Sequence, residues 1–353
     1  MNKALHSVRG TAIAIALAAA CGAGSAHAQS QVTVYGLIDA ALVHTDNVDA
    51  AGHSVTKMPS LTGSLPSRIG FRGSEKLGGG LAAVFTLESG FNPDVGTLGQ
   101  GGRISGRQAW VGLRGRWGTL QLGRILNMTY LATAKSDVLG PKLFSINSID
   151  LYLPNARSDN AIGYIGAFDR WTAGATWSFS RDASAAGGPS ATGCAGEVPG
   201  NARGCRQYIT LLGYNAQTYG FVATYDKLFG NTGAAGGLTS SANFDRRTIV
   251  NGYAMFKGTK IGAGMIDRKT LAATDVTESD LYYLGASAPL TAMLALDAQV
   301  ARLTYASSGH RAMYAGIGRM DNHGAAVVAL DAGGTTAAGK TQNGVMLGLR
   351  RSI

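Results

Sequence analysis

The sequence predicts an all-β fold, an antiparallel transmembrane β-barrel, on three observations. The first is an export leader over residues 1–28. Lys3 and Arg9 give it a positive start, Thr11–Ala20 an apolar stretch, and Ala26-His27-Ala28 a small-x-small cleavage site before Gln29. The second is that no later stretch holds the roughly 18 apolar residues a helix needs to cross a bilayer. The third is a long succession of short segments in which apolar and polar residues alternate with period two. Only helices and closed barrels satisfy their backbone hydrogen bonds in lipid. An exported, β-patterned chain without an apolar helix therefore points to a barrel in the outer membrane, with residues 29–353 as one domain.

The strands follow from the alternation. In Gly80–Phe91, Ala83, Phe85 and Leu87 form one row and Ala82, Val84, Thr86 and Glu88 the other. In Ser67–Gly73, Ile69 and Phe71 share one face while Arg68 and Arg72 share the opposite one. In Gly118–Gly123, Leu120 and Leu122 alternate with Thr119 and Gln121. The same reading gives strands at Val32–His44, Ser67–Arg72, Leu81–Phe91, Arg107–Arg114 and Thr119–Arg124. It continues with Asn160–Gly166, Trp171–Phe179, Gln207–Asn215, Tyr219–Leu228, Thr248–Phe256 and Thr259–Asp267. Leu281–Ala288, Met293–Tyr305, Arg311–Met320 and Gly344–Ser352 complete fifteen. A barrel whose chain starts and ends on the same side needs an even number, and the weakly alternating Gly324–Ala332 is the candidate sixteenth. Connections alternate between short (Arg114–Gly118, Ala167–Arg170, Asn215–Tyr219, Lys257–Gly258) and long (Thr45–Pro66, Asn92–Gly106, Ile125–Asp159, Ser180–Arg206, Phe229–Arg247, Asp321–Asn343). That rhythm is expected of tight periplasmic turns and long external loops.

Composition agrees. The 51 glycines, 13 tyrosines and 10 phenylalanines suit many tight turns and aromatic girdles, and a mean hydropathy of +0.06 is far below that of a helical membrane protein. The formal charge is +10, and loss of Lys3 and Arg9 with the leader leaves +8. With no lysine-rich tail or basic helix, and with export, the partners expected are anionic or small hydrophilic solutes and outer-membrane lipid, and no nucleic acid. Cys21 falls in the leader, where a lipoprotein cleavage site would lack the usual Leu three residues before the Cys. Cys194 and Cys205 remain, and an even pair in an exported chain suggests a disulfide, with two free thiols as the alternative.

The segment Ile125–Asp159 stands out. It has no strand pattern, and loops beyond about 12–15 residues are usually functional or disordered. Leu126, Met128, Tyr130, Leu131, Leu139, Phe144 and Ile149 need a surface to pack on, and the inside of a wide barrel supplies one. Folded inward, the loop would narrow the pore, with Asp137, Lys142 and Asp150 as candidates to face the opposite wall. That wall reads as basic, with Arg68, Arg72, Arg103, Arg107, Arg114, Arg116 and Arg124 in one interval against Glu75, Glu88 and Asp94. Arginine stays charged, and its planar fork pairs with carboxylate or phosphate. The pore-lining candidates are Arg68, Arg72, Glu88, Arg107, Arg124, Asp137 and Asp150. Arg107 has the parity of the apolar Ala109, Val111 and Leu113, which argues against a pore role unless it stands at the strand end. Arg114 and Arg116 flank a tight turn.

Catalytic and metal chemistry is not indicated. His6, His27, His44, His53, His310 and His323 form no close ligand pair, no phosphate-binding loop or nucleophile elbow occurs, and no cofactor is implied. Two other readings of a β-patterned exported chain are a surface adhesin with a plugged barrel and a soluble periplasmic β protein.

Several strings then carry a resemblance. Val34-Tyr35-Gly36-Leu37-Ile38-Asp39, Ser67-Arg68-Ile69-Gly70-Phe71-Arg72-Gly73 running on to Gly78-Gly79-Gly80-Leu81, Arg107-Gln108-Ala109-Trp110-Val111-Gly112-Leu113 and Leu122-Gly123-Arg124 occur in this order. Together they resemble the Gram-negative general porins, trimeric channels whose third loop folds into the pore. The resemblance implies about 16 strands, homotrimers, and passive diffusion of small hydrophilic solutes. It also maps the pore arginines of that family onto Arg68 and Arg107, the latter against its parity.

Overall fold

The computed structural model describes residues 31–60, 65–140, 143–181, 192–194, 196–291, 295–305, 311–315, 319–322, 326–329 and 334–352. The expected leader and Lys142 lie outside them.

Among these residues, eighteen strands join in one antiparallel sheet. The first five are β1 (Gln31–Thr45), the short β2 (Val55–Lys57), β3 (Arg68–Gly78), β4 (Leu81–Asn92) and the short β5 (Thr97–Leu98). Next come β6 (Gln108–Gly115), β7 (Gly118–Leu126), β8 (Arg157–Phe168), β9 (Trp171–Ser180), β10 (Gln207–Asn215) and β11 (Tyr219–Phe229). The remainder are β12 (Phe244–Phe256), β13 (Thr259–Leu271), β14 (Val276–Pro289), β15 (Ala295–Tyr305), β16 (Arg311–Ala315), β17 (Arg319–Asn322) and β18 (Gln342–Ser352).

Strands β2 and β5 are side pairings on β1 and β4. The other sixteen each pair with the next in chain order, from β1–β3 to β17–β18. Strand β18 then pairs back onto β1, with Leu37 opposite Ser352 and Thr45 opposite Gly344. Among the described residues the pairings run right round the ring, through short stretches at β16 and β17, where β17 meets β18 at two positions.

One expectation needs correcting. The segment Arg311–Met320 is two strands, because Ala315 pairs antiparallel with Arg319 and the chain reverses between them. This supplies the missing strand. The described residues 326–329 of Gly324–Ala332 carry none.

Alternation decides the faces. In β1, Val32, Val34, Ile38 and Leu42 are exposed on one face, while Leu37, Ala41 and Val43 are buried on the other. The exposed row continues as Ile69, Phe71, Leu87, Val111, Leu122, Ile162, Leu212, Val250 and Leu284 on the neighbouring strands. Such a continuous outward apolar belt is what lipid covers. Aromatic groups lie at its two ends. Trp171, Tyr214, Phe221 and Tyr219 contact one another near the short turns. Trp177, Tyr208, Tyr225 and Phe229 do so near the long loops. Amphipathic rings favour the two membrane–water interfaces. On the long-loop side Cys194 and Cys205 are joined by a disulfide, with Cα atoms 5.8 Å apart.

The segment between β7 and β8 packs within the barrel. It opens with helix α1 (Met128–Thr133), where Asn127 accepts a hydrogen bond from the Tyr130 N–H and so satisfies a free helical donor. Single 3-10 turns follow at Ile146–Ser148 and Leu153–Asn155. Its apolar side chains pack on inward-facing ones. Met128 and Ala132 meet Ile209 and Leu211. Leu139, Leu143, Phe144, Ile146 and Leu153 join Ile249, Ile266, Leu281, Leu303 and Met320.

Candidate functional site

The inward loop is held at three places. At its base, the Asp226 carboxylate of β11 accepts hydrogen bonds from Thr129 Oγ1 (2.6 Å), Tyr152 Oη (3.0 Å) and Gln207 Nε2 (2.8 Å). Asn127 Nδ2 donates to the same Tyr152 hydroxyl at 2.7 Å and to Ser158 Oγ at 3.0 Å. Burial, and then the Asp226 charge, push the Tyr152 hydroxyl well above its ordinary pKa, so it stays protonated as a donor. In the middle, Asp137 accepts from Gln299 of β15 at 2.9 Å, and the Ser136 and Tyr283 hydroxyls share a hydrogen bond at 2.7 Å. At the far end, Arg247 of β12 grips Asp150 through Nε (2.7 Å) and Nη2 (3.1 Å), and Asp245 through Nη1 (2.5 Å). Arg268 of β13 adds contacts to Asp245 at 3.0 Å and to Asp150 at 3.9 Å. Burial raises the Asp150 carboxyl, but the charges of Arg247 and Arg268 outweigh it and hold the group below the usual carboxylate range.

Two glycines admit the loop. A Cβ on Gly262 of β13 would collide with the Ser136 carbonyl oxygen, and one on Gly174 of β9 would collide with Met128 Sδ. At Gly262 the obstacle is backbone, so only a residue without a side chain allows that approach.

Opposite the base of the loop stands the basic wall. Arg68 and Arg72 occupy the inward row of β3, beside Tyr35 of β1. Arg107 lies one residue before β6. It escapes the parity of Ala109 because the strand has not begun, and its side chain turns to Glu88. The Glu88 carboxylate accepts from Arg107 Nε at 2.6 Å and from Tyr35 Oη at 2.9 Å, with Arg68 Nε at 3.6 Å. Behind these, Arg157 is 1% exposed. Its Nε donates to the Arg107 carbonyl at 2.9 Å and its Nη1 to the Pro154 carbonyl of the loop at 3.2 Å. Its Nη2 is buried without a hydrogen-bond partner. One carboxylate therefore serves Arg68 and Arg107, while Arg157 is held by carbonyl groups. Arg72 lies 5.3 Å from the Tyr35 ring centre and is exposed. Arg68 and Arg72 form the accessible front of this wall, and Arg107 and Arg157 a buried layer behind.

The placement of the remaining candidates differs from expectation. Asp150 and Asp137 do not face the arginine wall; they anchor the loop to β12, β13 and β15. Sequence reasoning put them on the loop but lacked their partners, which lie 97 and 162 residues away. Arg124 keeps the parity of the outward Leu120 and Leu122, up to an irregularity in pairing between Gly123 and Ile125. It binds the Gly106 carbonyl at 2.7 Å and pairs with Asp159, which Arg103 approaches at 3.7 Å. That places Arg124 beside the loop that precedes β6. Tyr35, Arg157, Asp226 and Arg247 are contributors that the sequence reading missed. The inward parity of Asp226 with Leu228, and of Arg247 with Ile249, is the only local signal for the last two.

On the short-turn side of α1, a cavity of about 590 Å³ opens inside the wall, lined by Arg114, Arg116, Lys135, Leu131, Asn251 and Tyr253 among others. Arg114, Arg116 and Lys135 extend the positive lining along the axis below the throat. The described residues contain no group of His, Cys, Asp or Glu arranged to hold a metal ion.

A family model described as Gram-negative porin matches residues 12–347. Outer membrane porin protein 32 of Delftia acidovorans is 29% identical over 92% of this chain and 95% of its own length. An outer membrane porin protein of Bordetella pertussis is 40% identical over a shorter stretch, 28% of this chain and 29% of its own. Among solved structures, the anion-selective porin from Comamonas acidovorans matches with a TM-score of 0.72 at 21% identity, covering 92% of this chain and 100% of that one. The trimer form of OmpT from Vibrio cholerae matches with a TM-score of 0.61 at 12% identity, over 92% of this chain and 99% of that one. At those identities the two structures establish a shared fold.

Proposed function

This chain belongs to the Gram-negative porin family, and we propose that it is a passive channel preferring anions, selecting small hydrophilic solutes by size and charge. It is an outer-membrane porin, and diffusion needs no covalent step and no cofactor. A solute enters past the long loops and passes between the inward loop and the accessible Arg68 and Arg72. It leaves along the cavity that Arg114, Arg116 and Lys135 line.

One observation carries the preference: a single carboxylate, Glu88, pairs with Arg107 and Arg68, and Arg72 and Arg157 stand beside them on the same side of the throat. The opposite side is near balance, with Asp150 and Asp245 set against Arg247 and Arg268. The net field therefore attracts anions from the Arg68 side, the arrangement by which arginine rings favour anions. The likeness to a porin named as anion-selective supports this reading. The homotrimer implied by the resemblance is likewise proposed, supported by the trimer form of OmpT, and residues 1–28 are proposed as the cleaved leader.

The test is ion selectivity of the Arg68→Ala, Arg72→Ala double variant in planar bilayers under a salt gradient. The expected result is a zero-current potential shifted toward the cation side. An unchanged potential would remove both residues from the selective wall.

A further inference from the structure

The cavity on the short-turn side of α1 holds more than an ion path requires. A wall touched only by water and inorganic ions has no use for apolar side chains. Here Leu131 of the inward loop joins Ile165 of β8, Leu211 of β10 and Val222 of β11 in one apolar cluster, and all four line the cavity. Leu211 is buried, but the other three are only half-buried. A contiguous apolar patch on a wetted surface marks a place where something binds.

Glycine hollows the wall at this point. The inward row of β10 runs Ile209, Leu211, Gly213, and Gly213 lies opposite Val222. At Gly262 and Gly174 the inward loop fills the space a side chain would take. Over Gly213 it does not. The atoms nearest to a Cβ there would be the Phe221 carbonyl oxygen and the Val222 side chain of the adjoining strand, at an ordinary 3.5 Å. Glycine weakens a strand, and where packing does not demand it, it marks the approach of a ligand. The backbone left bare at Gly213 also makes part of the floor flat, which suits a planar ring better than a branched chain.

Charge lies at the rim. Arg114, Arg116 and Lys135 line the cavity, and no Asp or Glu among the described residues does. Lys135 Nζ donates to Asn215 Oδ1 at 3.1 Å, and the Tyr253 hydroxyl donates to the same oxygen. The ammonium is thereby held beside the apolar floor. The volume is about 590 Å³. Small-molecule pockets span about 300–1,000 Å³ and are mostly apolar with a few placed polar groups.

We propose that this hollow is a binding site for organic carboxylates that carry an aromatic ring, a resting place on their way through the channel. The ring lies on Leu131, Ile165 and Val222 over Gly213, and the carboxylate faces Lys135, Arg114 and Arg116. A carboxylate without a ring gains only the charge, and a neutral ring only the floor. Occupied, the site puts a negative charge and a ring's bulk in the path of chloride, so the chloride current falls and passage of these solutes saturates. The inference rests on the anion-preferring porin reading and deepens it by naming a solute class.

The experiment is single-channel recording of the detergent-purified protein in potassium chloride at low ionic strength, where charge is least screened. Para-bromophenylacetate, acetate or para-bromophenylethanol is added to both sides, and each block is read as a fraction of that protein's own open current. The bromophenylacetate should lower the wild-type current saturably, and acetate and the neutral alcohol should not at the same concentrations. Lys135→Gln should raise the half-blocking concentration about tenfold, Lys135→Arg should restore it, and Gly213→Val, which fills the hollow, should abolish the block. A wild-type chloride current that bromophenylacetate leaves unaltered, or that acetate or the alcohol blocks equally, overturns the proposal and spares the porin reading. A block that survives Gly213→Val places the ligand elsewhere and also overturns it. A wild type that passes no chloride overturns both. Should Gly213→Val fail to insert, the anomalous bromine signal in wild-type crystals soaked with the acid decides: a peak in the hollow upholds the proposal, and a peak elsewhere or none overturns it.

Discussion

Replacing Arg247 with Met should free the inward loop at its far end. The Arg247 side chain is only 2% exposed and makes three close contacts, two to Asp150 and one to Asp245. Met fills similar volume but leaves two buried carboxylates facing each other, with Arg268 at 3.0 and 3.9 Å as their remaining cation. Removing one partner of a buried ion pair costs about 3–5 kcal/mol. Here the cost falls on one end of the loop. At about 1.4 kcal/mol per factor of ten, it raises the detached population by roughly two to four orders of magnitude. Neutralising the orphaned acids removes most of that penalty, so Arg247→Met with Asp150→Asn and Asp245→Asn should recover the closed loop. The assay combines single-channel conductance with limited proteolysis at Leu139–Leu153. The single variant should show larger or noisier current steps and new cleavage, and the triple variant neither. Wild-type conductance and protection in Arg247→Met would refute the idea that this clamp sets the throat.

Other outcomes follow from the same contacts. Gly262→Ala places a methyl against the Ser136 carbonyl, and should raise conductance without altering the arginine wall, as single-channel recording will show. The Asp150 carboxyl is held low in the folded state, so its contribution to loop anchoring is complete above the ordinary carboxylate range, near pH 4. It is lost only as pH falls through the lowered value. The Asp150 anchor should therefore hold from pH 7 to pH 5 and loosen only below about 4, seen as a conductance change at acid pH that is missing from Asp150→Asn. Replacing Cys194 and Cys205 with Ser should remove about 2–3 kcal/mol of loop-closure stabilisation. It should expose the segment after β9 to protease while leaving ion selectivity untouched.

Much of the wall was legible because period-two alternation is local. Ile69 and Phe71 against Arg68 and Arg72 already fix which face of β3 meets lipid, and the structure keeps that division. Strand ends were less legible. Phe244–Arg247 and Arg268–Leu271 belong to β12 and β13 but read as loop, because charged residues there line both faces and blur the alternation. Arg107 shows where parity fails: it stands just outside β6, so the rule that governs Ala109 does not reach it. The inward loop was found from its length and apolar content, but its anchors were not. Asp150 meets Arg247, and Asp137 meets Gln299, only after the chain has gone far round the barrel. No spacing along the sequence encodes such a meeting.

Anion-preferring conduction is decided by the current through the purified wild-type protein in a planar lipid bilayer under a tenfold potassium chloride gradient. An anion-preferring pore gives stepwise openings with a zero-current potential displaced toward the chloride equilibrium value. A silent bilayer, or a potential displaced toward that of potassium, would contradict it.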